Sequence, residues 1–194
     1  NGVGVLRLLL EKGADPNLAM LNGRTPLMAA AGGGGAAMLH LLLEHKANPN
    51  AFSGTGSVAL MDAAAIGDKE AVRLLLEGGV NVNARTKRNQ SALAMAAGLG
   101  SEPIVRMLLD RGAQVNVQDE RGYSPLMYAA YSEALPAGIV RLLLDKGADV
   151  SVKGEGETPK SLAAKRGDTE VARLLGVPES LRKRGGVASG EPGS

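Results

Sequence analysis

VLRLLLEKGADPN, residues 5–17, decides how the rest of the chain is read, because it comes back at a fixed step. It returns as MLHLLLEHKANPN at 38–50, AVRLLLEGGVNVN at 71–83, IVRMLLDRGAQVN at 104–116 and IVRLLLDKGADVS at 139–151. A shortened copy, VARLLG, stands at 171–176. The steps between copies are 33, 33, 33, 35 and 32 residues. A period of this size marks stacked supersecondary units, each too small to bury its own apolar face.

A second phrase precedes each later copy: RTPLMAAA (24–31), SVALMDAAA (57–65), QSALAMAAG (90–98), YSPLMYAAY (123–131) and ETPKSLAAK (157–165). In three of them Thr25, Ser124 and Thr158 stand directly before Pro26, Pro125 and Pro159. A hydroxyl caps an unpaired helix N–H, and proline loses nothing at the first helical position, so each pair predicts a helix start. A short first helix follows, interrupted at Gly34, Gly67, Gly100 or Gly167. A second helix begins next, with Asp68, Ser101 or Asp168 as its expected cap. Its Leu-Leu pairs at 8–9, 41–42, 74–75, 108–109 and 142–143 mark the buried stripe. Gly13, Gly79, Gly112 and Gly147 stop it where a left-handed residue is favoured. Lys46 takes that place once, at an expected strain of about 1 kcal/mol. Beyond each stop a polar turn with Gly23, Gly56, Gly122 or Gly156 reads as a projecting loop or hairpin.

These phrases resemble the ankyrin repeat family, in the T-P-L-x-x-A-A run at 25–31, the L-L-x-x-G-A-D-x-N run ending at Asn17, and the step itself. The resemblance covers residues 1–178. It implies an all-α solenoid of about five and a half helix-turn-helix units with short β-hairpin fingers. The tetratricopeptide repeat has a similar period, but its Trp and Tyr signature is absent. Val58-Ala59 and Ser91-Ala92 replace Thr-Pro, which predicts weaker helix starts there. Two extra residues within 131–138 predict a bulging loop. Residues 1–10 read as the second half of a repeat whose first half is missing, so Val5, Leu8 and Leu9 should face water unless further repeats or a partner cover them. The last unit, 157–177, carries Lys160, Lys165 and Arg166 and reads as a C-terminal cap. Residues 179–194 have little to bury and are expected to be a disordered tail.

Over 194 residues the composition is 44% hydrophobic but only 2% aromatic, so the core must be Leu, Ala, Val and Met. The formal charge of +2 names no partner. The chain has no cysteine, which removes disulfides and thiolate metal sites and leaves the compartment undecided, with the cytoplasm slightly favoured. No apolar run is long enough to span a membrane.

Catalytic chemistry finds no support. Gly32 to Gly35 is not a phosphate cradle, because a helix precedes it and Ala36 follows where a P-loop needs Gly-Lys-Ser/Thr. His40 and His45 lie five apart, not at metal-pair spacing, and His40 shares an exposed register with Arg7, Arg73, Arg106 and Arg141. Asp62 stands alone at the edge of a first helix without a second carboxylate to work with. No cofactor is expected.

The informative residues break the repeat while staying in register. Finger tips carry Arg85, Lys87 and Arg88 in the third unit and Arg121 and Tyr123 in the fourth. Ile66, Leu99 and Tyr131 end successive first helices. The resemblance implies that this finger-and-helix surface is the concave binding face. Tyr and Arg are enriched at binding hot spots, so these eight residues are the expected contacts of a protein or peptide partner with acidic groups, met by a monomer. An accessory role in a larger, enzymatic polypeptide is the alternative. Nucleic-acid binding through Arg85, Lys87, Arg88 and the Arg182 to Arg184 cluster ranks below both, for want of aromatics and net charge.

Overall fold

The computed structural model describes residues 2–134, 137–167 and 169–182. Helix α1 (Gly2–Glu11) falls in the row of second helices. Pairs follow in order: α2 (Pro26–Gly32) with α3 (Ala36–Glu44), α4 (Ala59–Ile66) with α5 (Lys69–Glu77), and α6 (Ala92–Leu99) with α7 (Glu102–Asp110). Then come α8 (Pro125–Tyr131) with α9 (Ala137–Asp145), α10 (Pro159–Lys165) with α11 (Glu170–Leu174), and one turn, α12 (Glu179–Arg182). First helices pack on first helices of the neighbouring units, and second on second, so the array is two parallel rows of helices.

The helix starts follow from capping. Thr25, Ser124 and Thr158 accept from Met28, Met127 and Ser161 N–H, the last within a reciprocal capping box. Ser91 also caps fully, accepting from Ala94 N–H, so the missing proline does not weaken that start; Val58 does leave its helix without a side-chain cap. In the second row Asp68 caps through Ala71 N–H, whereas Ser101 makes no such bond. Asp168 lies outside the described residues, and Thr169 supplies the cap to α11.

The leucine stripes close the stack. Leu42, Leu75, Leu108 and Leu143 are buried, while Val5, Leu8 and Leu9 on α1 are more than half exposed. The residues are the same; what differs is a neighbour on that side.

A second seam runs beside the core. The loops of four successive units each end in an asparagine that bonds twice to the loop one unit on. Asn50 Nδ2 donates to Gly79 O (3.1 Å) and its Oδ1 accepts from Asn81 N–H (2.6 Å). Asn83 repeats this with Gly112 O (3.0 Å) and Gln114 N–H (2.9 Å), and Asn116 with Gly147 O (2.9 Å) and Asp149 N–H (2.8 Å). Asn17 grips Lys46 O (3.4 Å) and Asn48 N–H (2.7 Å) in the same way.

The fingers are tight turns rather than paired strands. Among the described residues the only β-bridge is Gly154 with Glu157. Main-chain bonds lay the first four fingers on one another: Gly54 N–H to Asn22 O (2.7 Å), Lys87 N–H to Thr55 O (2.8 Å) and Glu120 N–H to Arg88 O (3.0 Å). Glycine is needed at these tips for two reasons at once. Gly56 has φ +78°, and a Cβ there would come within 2.8 Å of Lys87 N.

In the last described unit Val171, Ala172 and Val177 are buried while Lys160 is exposed. Residues 179–182, expected to be disordered, form α12 beside α10. The rest of the expected tail lies outside the described residues, as do two of the residues in the 131–138 loop.

Two outcomes test this scheme. Asn83→Ala removes two inter-unit hydrogen bonds and should lower stability in urea by about 1–2 kcal/mol, with Asn83→Asp, which keeps the acceptor, losing less. Lys46 has φ +67°, so Lys46→Gly relieves a left-handed side chain and should raise the thermal midpoint, by about 1 kcal/mol in stability.

Candidate functional site

Three open clefts lie along the finger-and-first-helix face, and they share walls. The first, about 500 Å³, sits between the second and third fingers and is lined by Arg24, Ser57, Asp62, Lys87, Arg88 and Gln90, among others. The second, about 310 Å³, takes Arg88 and Gln90 as its near wall and Arg121 and Tyr128 as its far one. The third, about 430 Å³, continues from Arg121 and Tyr128 to Tyr131, Glu157, Leu162 and Lys165. Together they form one groove across the joins between units.

Ile66, Leu99 and Tyr131 are 49%, 46% and 57% exposed and end three consecutive first helices, so the expected apolar row exists. Lys87 and Arg88 are exposed at the third finger and have no ion-pair partner among the described residues.

Three other expected contacts stand differently. Arg85 is not at the groove. It lies half-buried along the join, donating to Ala84 O (3.0 Å) and Gln114 Oε1 (2.9 Å), and burial lowers its pKa. Tyr123 is 8% exposed, so it is a wall of the third cleft and not a projecting anchor. Its ring meets Tyr128 at 5.7 Å between centroids, and the Arg121 guanidinium sits 4.6 Å over it. Arg121 projects but is held by Glu155 (2.7 Å) on the next finger, whose hydrogen bonds raise its pKa.

Two buried polar links were not legible in the sequence. Tyr128 Oη donates to Asp119 Oδ2 (2.6 Å), while Asp119 Oδ1 accepts from Arg121 and Tyr123 N–H and so shapes the fourth finger. Burial, then this bond, raises the Tyr128 pKa. The only signal was an aspartate four residues before a tyrosine in a turn.

The second link is Asp62, which is not at an exposed edge. Its side chain is 17% exposed and faces Arg24 from the first finger, with Nη2 to Oδ2 at 2.9 Å. This is a charge contact and not an aligned hydrogen bond: Arg24 Nη2 gives its bond to Met28 O (3.2 Å), and Oδ2 has no donor directed at it. Ser57 Oγ donates to Oδ1 (3.3 Å). Burial raises the Asp62 pKa against the opposing pull of Arg24 and Ser57.

The outer row carries only exposed ion pairs, Arg73 with Glu70 and Glu77, Arg106 with Glu102, and Arg141 with Glu170, which contribute little. His40 lies on that row, 3.5 Å from Glu44. Among the described residues no three His, Cys, Asp or Glu side chains are grouped to hold a metal, and no helix is long and apolar enough to cross a membrane.

A family model described as Ankyrin repeats (3 copies) matches residues 1–86 and again 60–154. The chain belongs to the ankyrin repeat family. Among solved structures, the crystal structure of the human ASB11 ankyrin repeat domain is similar, with a TM-score of 0.79 and 27% sequence identity. That match covers 90% of this chain and 77% of that one. No curated protein matches by sequence. Ankyrin repeats are in general protein–protein interaction modules.

Asp62 yields a pH prediction. A carboxyl whose folded pKa lies above its unfolded value binds its proton more readily in the fold, so stability falls as the pH rises through that window. Asp62→Asn should therefore exceed the native protein in urea at neutral pH, and the gap should close as the pH drops into the ordinary aspartate range. A variant weaker than the native protein at neutral pH would mean that Arg24 outweighs burial.

Proposed function

We propose that residues 1–178 act as a non-catalytic recognition array that binds an extended segment of a protein partner along the groove, with the partner's acidic groups toward the basic fingers. The observation that carries this reading is the row Ile66, Leu99 and Tyr131, three half-exposed apolar side chains that end successive first helices, with Tyr131 lining the last of three clefts that share walls. An exposed apolar row rimmed by polar fingers has the anatomy of an interface core. The first four fingers are tied to one another by main-chain bonds and the fifth by Gln118 Nε2 to Lys153 O, so the face is ordered before a partner arrives and little conformational freedom is lost on binding.

The reading supposes a monomer. Neither a nucleic acid nor a membrane is part of it.

Selection of peptides from a random displayed library by the intact array tests it. Binders should compete for one site and lose at least tenfold in affinity with Leu99→Ala plus Tyr131→Ala, the scale of a hot-spot truncation of about 1.4–2 kcal/mol. The outer-face variant Arg106→Ala should leave affinity and helical signal unchanged. No saturable binder, or binders lost with the outer-face variant alone, would overturn the assignment.

A further inference from the structure

Positive charge along the groove is not spread evenly. In the third cleft Arg121 is matched by Glu155 and Lys165 by Glu157. In the first cleft three cations, Arg24, Lys87 and Arg88, face one carboxylate, Asp62, and only Arg24 is engaged by it. Lys87 and Arg88 form no ion pair among the described residues, and of the two only Arg88 also lines the second cleft, where Asp119 and Glu120 stand. Both cations are also fixed: Lys87 N–H is bonded to Thr55 O on the finger before, and Arg88 O to Glu120 N–H on the finger after. Two cations on a pinned loop, at the mouth of a cleft that also offers Ser57 and Gln90, are arranged for an anion.

We propose that the cleft between the second and third fingers receives an Asp or Glu side chain of the bound peptide, and that the tyrosine-walled cleft two units on receives an apolar residue of the same peptide. This rests on the groove-binding reading above and adds what the bound segment must carry.

Asp62 decides which anion. Lys87 and Arg88 match a phosphate dianion in charge, but that anion would set two charges against the Asp62 carboxylate in the same wall, where a carboxylate sets only one. The spacing follows from the stack. Packed helices stand about 8–10 Å apart, so two units span roughly 16–20 Å. An extended chain advances about 3.3 Å per residue, which puts the acid and the apolar anchor about five or six residues apart. The second anchor fits Tyr131, which is 57% exposed, over buried Leu162.

The displayed library above supplies the peptides. Those enriched by the native array should pair Asp or Glu with an aliphatic or aromatic residue at that separation. Replacing the acid by Ala should weaken binding about tenfold, and Lys87→Glu with Arg88→Glu should weaken the parent peptide as much or more. A peptide with Lys in place of the acid should regain affinity for the doubly reversed array. Tyr131→Ala should weaken both peptides by a similar factor. All these positions are exposed, and circular dichroism should show the helices unchanged.

If the acid and both reversals change affinity less than about twofold while Tyr131→Ala removes it, the anion pocket is wrong and groove binding stands. If Tyr131→Ala also has no effect, groove binding itself fails. A phosphoserine peptide that binds about tenfold more tightly than its Asp counterpart would overturn the carboxylate assignment.

Discussion

The structure depends on a shortage: a unit of two short helices has an apolar face and nothing of its own to put on it. Leu75 and Leu108 are fully buried because helices from adjoining units lie over them, and Leu8 and Leu9 are half in water where no described helix covers that side of α1. Stacking by itself would allow the layers to slide, since a smooth face of Leu and Ala is tolerant of register. The asparagine seam removes that freedom. Asn50, Asn83 and Asn116 each take one donor and one acceptor of the next loop, which ties neighbouring units at one offset. The finger bonds at Gly54, Lys87 and Glu120 fix the same offset at the opposite edge of the layer. A soft apolar core is thus held between two hydrogen-bonded margins.

What could be read beforehand was whatever acts within a unit. Thr25 before Pro26, Gly67 and Gly100 at left-handed helix ends, and the leucine stripe all work through their own stretch of chain, so their spacing announces them. Lys46 was legible for the same reason, as a side chain in a place that wants none. What could not be read acts between units. Arg121 holds the register of Arg88, 33 residues before it, yet it reaches Glu155 while Arg88 forms no ion pair among the described residues, and Arg85 lies flat against Gln114. The difference is set by the partner 29 or 34 residues on, and sequence register alone does not say which donor each guanidinium finds. Tyr123 was misplaced likewise: its position in the finger is as expected, but Tyr128 and Arg121 close over it.

Asp62 shows the same rule with a cost attached. A carboxylate with one oxygen buried and no donor directed at it works against the fold, and the opposing Arg24 does not fully offset that. Buried polar atoms without aligned partners are uncommon in folded proteins and tend to persist where a surface has a task besides stability. Here it lines the largest of the three groove clefts, beside Lys87 and Arg88, which form no ion pair among the described residues.

Because the clefts open at the joins, no unit owns one. The first is built from Arg24 of one finger, Ser57 of the next and Lys87 of the third, and Arg88 belongs to two clefts at once. Recognition by such a groove cannot be a sum of independent contributions from the repeats, since a change at Arg88 or Tyr128 alters the walls on both sides. The repeat that makes the scaffold modular therefore makes its binding face non-modular, and for one physical reason: what a unit lacks, whether cover for its leucines or a wall for its cleft, its neighbour supplies.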